Sequence, residues 1–303
     1  MSLSETTDRI PEAAPRPASL RKSLLARRPL TAFFLLAYAL TWLGWSPWFL
    51  SEAGVGLLPY DGGDFDVLFN VVGLVLGPTL AAFVVTAATE GREGVRRLLR
   101  RIVLWRVGLR WYLFVLAGIP AIVLLSAVVV PGARASFELS AVPPALFLYV
   151  VAGPFFLFAG GPVFEEMGWR GFALPRLQRM HGPLLGSLIL GGLWALWHLP
   201  LFLIPGWDTP HGSPLDVALF VILAVGIAVV LTWVFNNTGG SVLLAILAHG
   251  SLNTGVATAY DLFPVPAVTD GFANFVIGFG AAAVVVIALT KGRLGYRQAA
   301  GRG

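Results

Sequence analysis

The chain has 303 residues, of which 57% are hydrophobic and 12% charged, against roughly 25% charged in an ordinary soluble domain. That balance excludes a soluble globular fold, and the 21 prolines and 35 glycines spread through long apolar stretches fit a helical membrane protein. Without cysteine there is no disulfide framework, thiolate metal site, cysteine nucleophile, or prenylation or palmitoylation of the chain itself. The net charge of +5 comes from basic residues flanking apolar segments, which read as topology signals and not as a nucleic-acid surface.

Residues 1–29, rich in Pro, Ala and Arg, read as a flexible basic cytoplasmic tail. Apolar runs of about 20 residues, long enough to cross a hydrocarbon core of roughly 30 Å as helix, then follow at 30–50, 67–88, 111–130, 142–163, 183–204, 215–235, 241–259 and 271–290. Backbone polar groups in lipid must be satisfied within each segment, so each run is predicted to be a helix. The alternating ten-residue runs of an outer-membrane barrel are absent. The expected fold is all-α, a polytopic integral membrane protein of about eight transmembrane helices. Its transmembrane domain covers 30–290, the site lies in the C-terminal half within 143–260, and a short basic tail occupies 291–303.

Orientation follows from the Lys and Arg count on alternate sides of these spans. Twenty of the 21 basic residues fall on one side: six before Leu30, seven from Arg92 to Arg110, then Arg170, Arg176 and Arg179, and four after Thr290. The other side holds Arg134 with Glu52, Asp61, Asp64, Asp66, Glu138, Asp208, Asp261 and Asp270. Both termini are therefore expected in the cytoplasm, with the protein in the cytoplasmic membrane. The Arg92–Arg110 stretch reads as a loop lying on anionic lipid, with Trp105 and Trp111 in the interface.

Glu165, Glu166, Arg170, His198 and His249 remain inside apolar context, where ionisable groups cost a few kcal/mol each and default to function with named partners. Glu166 and Arg170 stand four apart on one helix face, the spacing of an ion pair. The run from 142 to about 178 is too long for one span as helix, and Gly160, Gly161 and Pro162 supply a break just before the glutamates. Glu165 lies about 16 residues before the turn at His181–Pro183 and His198 about 16 after it, so an antiparallel hairpin sets them level. His249 and Asn253 are four apart and share a face; their depth matches if the hairpin tip projects roughly 8 Å into the cytoplasm.

A carboxylate beside an imidazole can activate water as a general base, while a second imidazole and an amide N–H can stabilise an oxyanion. Glu165, His198 and His249 with one open position would equally suit a catalytic zinc ion. Either route leads to water-dependent acyl cleavage, and no serine nucleophile motif is present. Two other classes use the same residue types: a proton-coupled transporter, in which Glu and His form relays, and a non-catalytic immunity or scaffold protein, in which they join helices.

These residues resemble the CPBP family of intramembrane proteases, also called the type II CAAX prenyl endopeptidase or abortive-infection family. Its first motif, two glutamates and, after three intervening residues, an arginine, is similar to Glu165, Glu166 and Arg170 within FEEMGWRGFALPRLQ. The second, an aromatic and, after three intervening residues, a histidine, matches Trp194 and His198 in WALWHLP, and the third, histidine and asparagine at the same spacing, matches His249 and Asn253 in HGSLN. The resemblance implies that Glu165 activates water with help from His198, that His249 and Asn253 form the oxyanion site, and that Glu166 pairs with Arg170 to position the helix. It implies a membrane-tethered or lipidated peptide as substrate and leaves both a zinc-dependent and a metal-free glutamate mechanism open.

Of the other features, His181 and His211 read as solvated loop residues. Gly186, Gly191 and Gly192 read as sites of close helix approach, and Pro78 and Pro120 as kinks in the second and third spans.

Overall fold

The computed structural model describes residues 27–61, 65–204, 213–269 and 271–297, and among them the chain is helical with no strand. Residues 1–26 of the N-terminal tail, Asp64, Asp208, His211, Asp270 and the last six residues lie outside the described residues. Eight helices are long and apolar enough to cross a membrane: α1 (Pro29–Phe49), α2 (Asp66–Ile102), α3 (Leu109–Val128), α4 (Leu139–Ala159), α6 (Pro183–Leu203), α7 (Pro214–Asn237), α8 (Val242–Leu262) and α9 (Ala273–Thr290). Between α4 and α6 runs α5 (162–181), the helix that carries both glutamates. The fold is that of a multi-pass membrane protein, and α8 is the most enclosed of the spans.

Prolines shape these helices. Four π-helical turns occur among the described residues: Val75–Thr79, Phe114–Gly118, Leu148–Ala152 and Trp169–Ala173. The first contains Pro78, and the others end two residues before Pro120, Pro154 and Pro175. A proline has no N–H to donate and its ring clashes with the carbonyl four residues earlier. Widening the preceding turn moves that carbonyl aside while keeping the helix continuous.

Two expectations for the α2–α3 region need correction. The arginine-rich stretch from Arg92 is not mostly loop: α2 continues as helix to Ile102, interrupted at Gly91, whose φ of 63° is left-handed. Trp111 is buried, with its ring 4.8 Å from that of Trp233, and only Trp105 is exposed. The C-terminal tail begins as an ordered return, with Leu294 fully buried and its carbonyl accepting from Asn236.

The segments expected on one side share one end of the bundle. Arg27 and Arg28 at the start of α1 face Arg176 and Arg179 of α5 across a surface depression. Ser241, which caps α8, donates to the carbonyl of Leu104 just after α2. In α6 and α7, Ser187 and Thr232 are hydroxyl-bonded at 2.9 Å, and Gly191 admits the α7 backbone so closely that a β-carbon there would stand 2.7 Å from the Cα of Val225. Gly186 does the same against α5 at Leu177, whereas Gly192 faces open space.

Candidate active site

The chain breaks where the glycines predict. Helix α4 ends at Ala159, Gly161 adopts φ 97°, and Pro162 opens α5. A left-handed residue with a side chain is disfavoured by roughly 1–2 kcal/mol. Gly161 has a second reason to be glycine, since a β-carbon there would collide with Oε1 of Glu165. A break in apolar surroundings frees carbonyls that must find donors. Asn70 of α2 donates to Ala159 at 3.0 Å and Asn253 of α8 to Gly160 at 3.4 Å; Thr79 of α2 further ties the first turn of α5 to α2 by donating to the Phe164 carbonyl at 2.5 Å.

From this start, successive residues of α5 point in directions about 100° apart. Glu165 lines a cavity of about 220 Å³, together with His198, His249 and Asn253. Glu166 is fully buried and does not line it. Its Oε1 accepts from Arg170 Nη1 at 2.8 Å and faces His249 Nδ1 at 2.9 Å. The predicted i, i+4 pair is thus present and extends to a histidine on α8.

Trp194 ties the two sides together. Its indole N–H donates to Glu165 Oε2 at 2.6 Å, and an indole can only donate. The same ring carries the Arg170 guanidinium 5.1 Å from its centroid, a cation–π arrangement. It also meets the rings of His249 and His198 edge to face at 5.2 and 5.6 Å. The sequence reading places this tryptophan only as the aromatic of the second motif, and its hydrogen bond to the carboxylate emerges only in the folded protein.

Local backbone chemistry also fixes His198. At the end of the α-helical part of α6 its own N–H bonds back three residues to Ala195, as the chain tightens into the 3₁₀ turn Leu199–Leu203 containing Pro200. That tightening offers the carbonyl of Trp194 to the ring, and Nδ1 lies 2.9 Å from it. A carbonyl cannot donate, so Nδ1 carries the hydrogen and, in the neutral ring, Nε2 carries the lone pair. Ring packing against Trp197 at 4.6 Å and Phe220 at 5.2 Å holds the plane.

The predicted residues from three helices, α5, α6 and α8, are therefore brought to one place. Glu165, His198, His249 and Asn253 face the cavity, Trp194 lines it and joins it to the ion network, and Glu166 with Arg170 stands behind it. The sequence reading missed Asn70, an amide in the second apolar run that was not counted as ionisable, and the aromatic wall of Trp45, Phe220, Tyr260, Phe272 and Phe275. The aromatic positions carry no signal of their own in a chain with 10 Trp and 21 Phe.

A zinc site needs three side chains converging on one point at about 2.0–2.2 Å. Among the described residues no three His, Cys, Asp or Glu side chains form such a group. Glu165 Oε2 is held by Trp194, His198 Nδ1 by a carbonyl and His249 Nδ1 by Glu166, so a metal would be taken by the other atoms, Glu165 Oε1, His198 Nε2 and His249 Nε2.

A family model described as type II CAAX prenyl endopeptidase Rce1-like matches residues 144–255, a range that contains all the motif residues. The CAAX prenyl protease 2 of Methanococcus maripaludis is 25% identical over 236 residues, covering 73% of this chain and 81% of that protein.

Proposed function

As a member of the Rce1-like type II CAAX prenyl endopeptidases, and so a peptidase of the membrane, the chain, we propose, hydrolyses a peptide bond near the end of a prenylated or otherwise lipid-tethered peptide, with Glu165 as the base that activates water. The observation that carries this reading is the placement of Glu165 and its neighbour. Of two adjacent carboxylates, Glu165 alone opens on the cavity, while Glu166 is neutralised behind it by Arg170.

The proposed step runs as follows. A water molecule between Glu165 Oε1 and the scissile carbonyl loses a proton to the carboxylate as its oxygen attacks carbon. Trp194 holds Oε2 and so aims the other oxygen at the cavity. His198, with its Nε2 lone pair, accepts from the same water and orients it. The carbonyl oxygen becomes an oxyanion held by the Asn253 amide N–H and by the His249 ring, whose Nδ1 side Glu166 holds. On collapse the C–N bond breaks, and the proton taken up by Glu165 passes to the leaving amine.

Cavity size supports a division of the substrate. Pockets that enclose a whole drug-sized ligand run to about 300–1,000 Å³, so 220 Å³ admits the few residues around the scissile bond and leaves the lipid chain outside, in the bilayer.

The test is cleavage of quenched prenylated and unprenylated peptides by purified protein in detergent, with and without chelator, comparing wild type with Glu165→Gln. General-base loss is worth about 10²–10⁴ in rate, so Glu165→Gln should fall by at least a hundredfold with an unchanged melting temperature, and the chelator should have no effect. Retained turnover in Glu165→Gln would overturn the assignment, and chelator-sensitive turnover restored by zinc would overturn the metal-free step.

A further inference from the structure

On the basic end of the bundle, well away from the cavity, lies a second polar pocket between the extension of α2 and the end of α5. It is lined by Arg97, Arg101, Arg176 and Arg179 around Glu90. Glu90 accepts from Arg97 at 2.7 Å and pairs with Arg176, and Arg97 also stands 4.0 Å from Glu93 on the exposed side. Arg101 donates to the carbonyl of Gly171, the residue after Arg170, at 3.3 Å. Four cations thus surround one anion. A neighbouring depression shares Glu90, Arg176 and Arg179 and adds Arg27, Arg28 and the apolar flank of Leu30 and Met180.

We propose that this pocket binds the phosphate of an anionic phospholipid headgroup, with the acyl chains running along the Leu30 and Met180 flank. Guanidinium forks match phosphate oxygens in bidentate geometry, and basic pockets between helices at a membrane surface recognise such headgroups. The excess positive charge within a partly enclosed space supplies the attraction, and the adjoining apolar wall distinguishes a lipid from a soluble phosphate. The C-terminal carboxylate of a substrate is not the occupant. Arg176 lies eleven residues beyond Glu165 on α5, about 16 Å of helix, whereas a three-residue leaving segment extends about 10 Å. Bound there, the headgroup would clamp the α2 extension onto α5 through Arg101 and Gly171, next to the ion network that supports the site.

The experiment is native mass spectrometry and thermal melting of the full chain in detergent, with added dioleoylphosphatidylglycerol, dioleoylphosphatidylcholine or inorganic phosphate. Each basic group near an anionic lipid contributes about fivefold in affinity, so Arg101→Gln with Arg179→Gln should weaken phosphatidylglycerol retention about 25-fold. Arg134→Gln, at the opposite end, should leave it unchanged, and Glu90→Gln, which removes the opposing charge, should strengthen it. Should the double variant fail to fold, the Glu90→Gln and Arg179→Gln variants still move retention in opposite directions. Equal retention of phosphatidylcholine, or unchanged retention in every variant, would overturn the proposal. Stabilisation by millimolar inorganic phosphate with no further gain from phosphatidylglycerol would overturn the lipid as its source.

Discussion

Glu165 and Glu166 are neighbours in the chain and opposites in the fold. Glu165 meets a cavity, one indole donor and a pair of imidazoles; Glu166 meets a guanidinium and an imidazole and nothing of the cavity. A helix turns about 100° per residue, so two adjacent side chains face two layers, one on the cavity and one in the wall behind it. Under the proposed mechanism the cavity layer would set rate, while the wall layer would set whether the helices stay together.

Breaking the wall should produce the largest effect on the folded state. Glu166→Gln leaves Arg170 buried without its counter-charge, and removing one partner of a buried pair costs about 3–5 kcal/mol. Thermal melting should show a lower midpoint and a smaller folded yield, with turnover per folded molecule falling less than in Glu165→Gln. A normal melt with abolished turnover would instead place Glu166 at the chemistry.

Asn253→Ala acts on the cavity layer. Loss of one oxyanion donor lowers kcat by about 10²–10³, with the melting midpoint little changed, since its bond to the Gly160 carbonyl is long at 3.4 Å. An unaffected kcat would remove Asn253 from the oxyanion site.

Trp194→Phe sharpens the comparison where the layers join. It keeps a ring beside Arg170 and the histidines but removes the donor to Glu165. A hydrogen bond to a charged group is worth about 1.5–3 kcal/mol, so kcat should drop about tenfold to a hundredfold at constant KM. A change confined to stability would reduce Trp194 to packing.

Much of this was legible beforehand, and for identifiable reasons. Eight spans agree with the apolar runs to within a few residues, except where α2 runs on through Gly91 to Ile102. There the chain leaves apolar composition behind, and hydropathy cannot tell an exposed charged helix from a loop. The break at Gly161 was readable because glycine followed by proline has a narrow backbone repertoire. Asn70 was missed because an amide in an apolar run looks like a tolerated polar residue until a frayed carbonyl at Ala159 appears beside it.

The sequence by itself determined which segments are apolar enough to span, which flanks are basic, and which ionisable groups are stranded among them. These signals are local and additive along the chain, so no partner need be known. Tertiary structure decided which glutamate faces the cavity, that Trp194 donates to it, that the Trp194 carbonyl fixes the His198 tautomer, and that Arg97, Arg101, Arg176 and Arg179 gather around Glu90. Each of those outcomes depends on helix phase and on what a distant segment presents at the point of contact, and neither is written in any one stretch of residues.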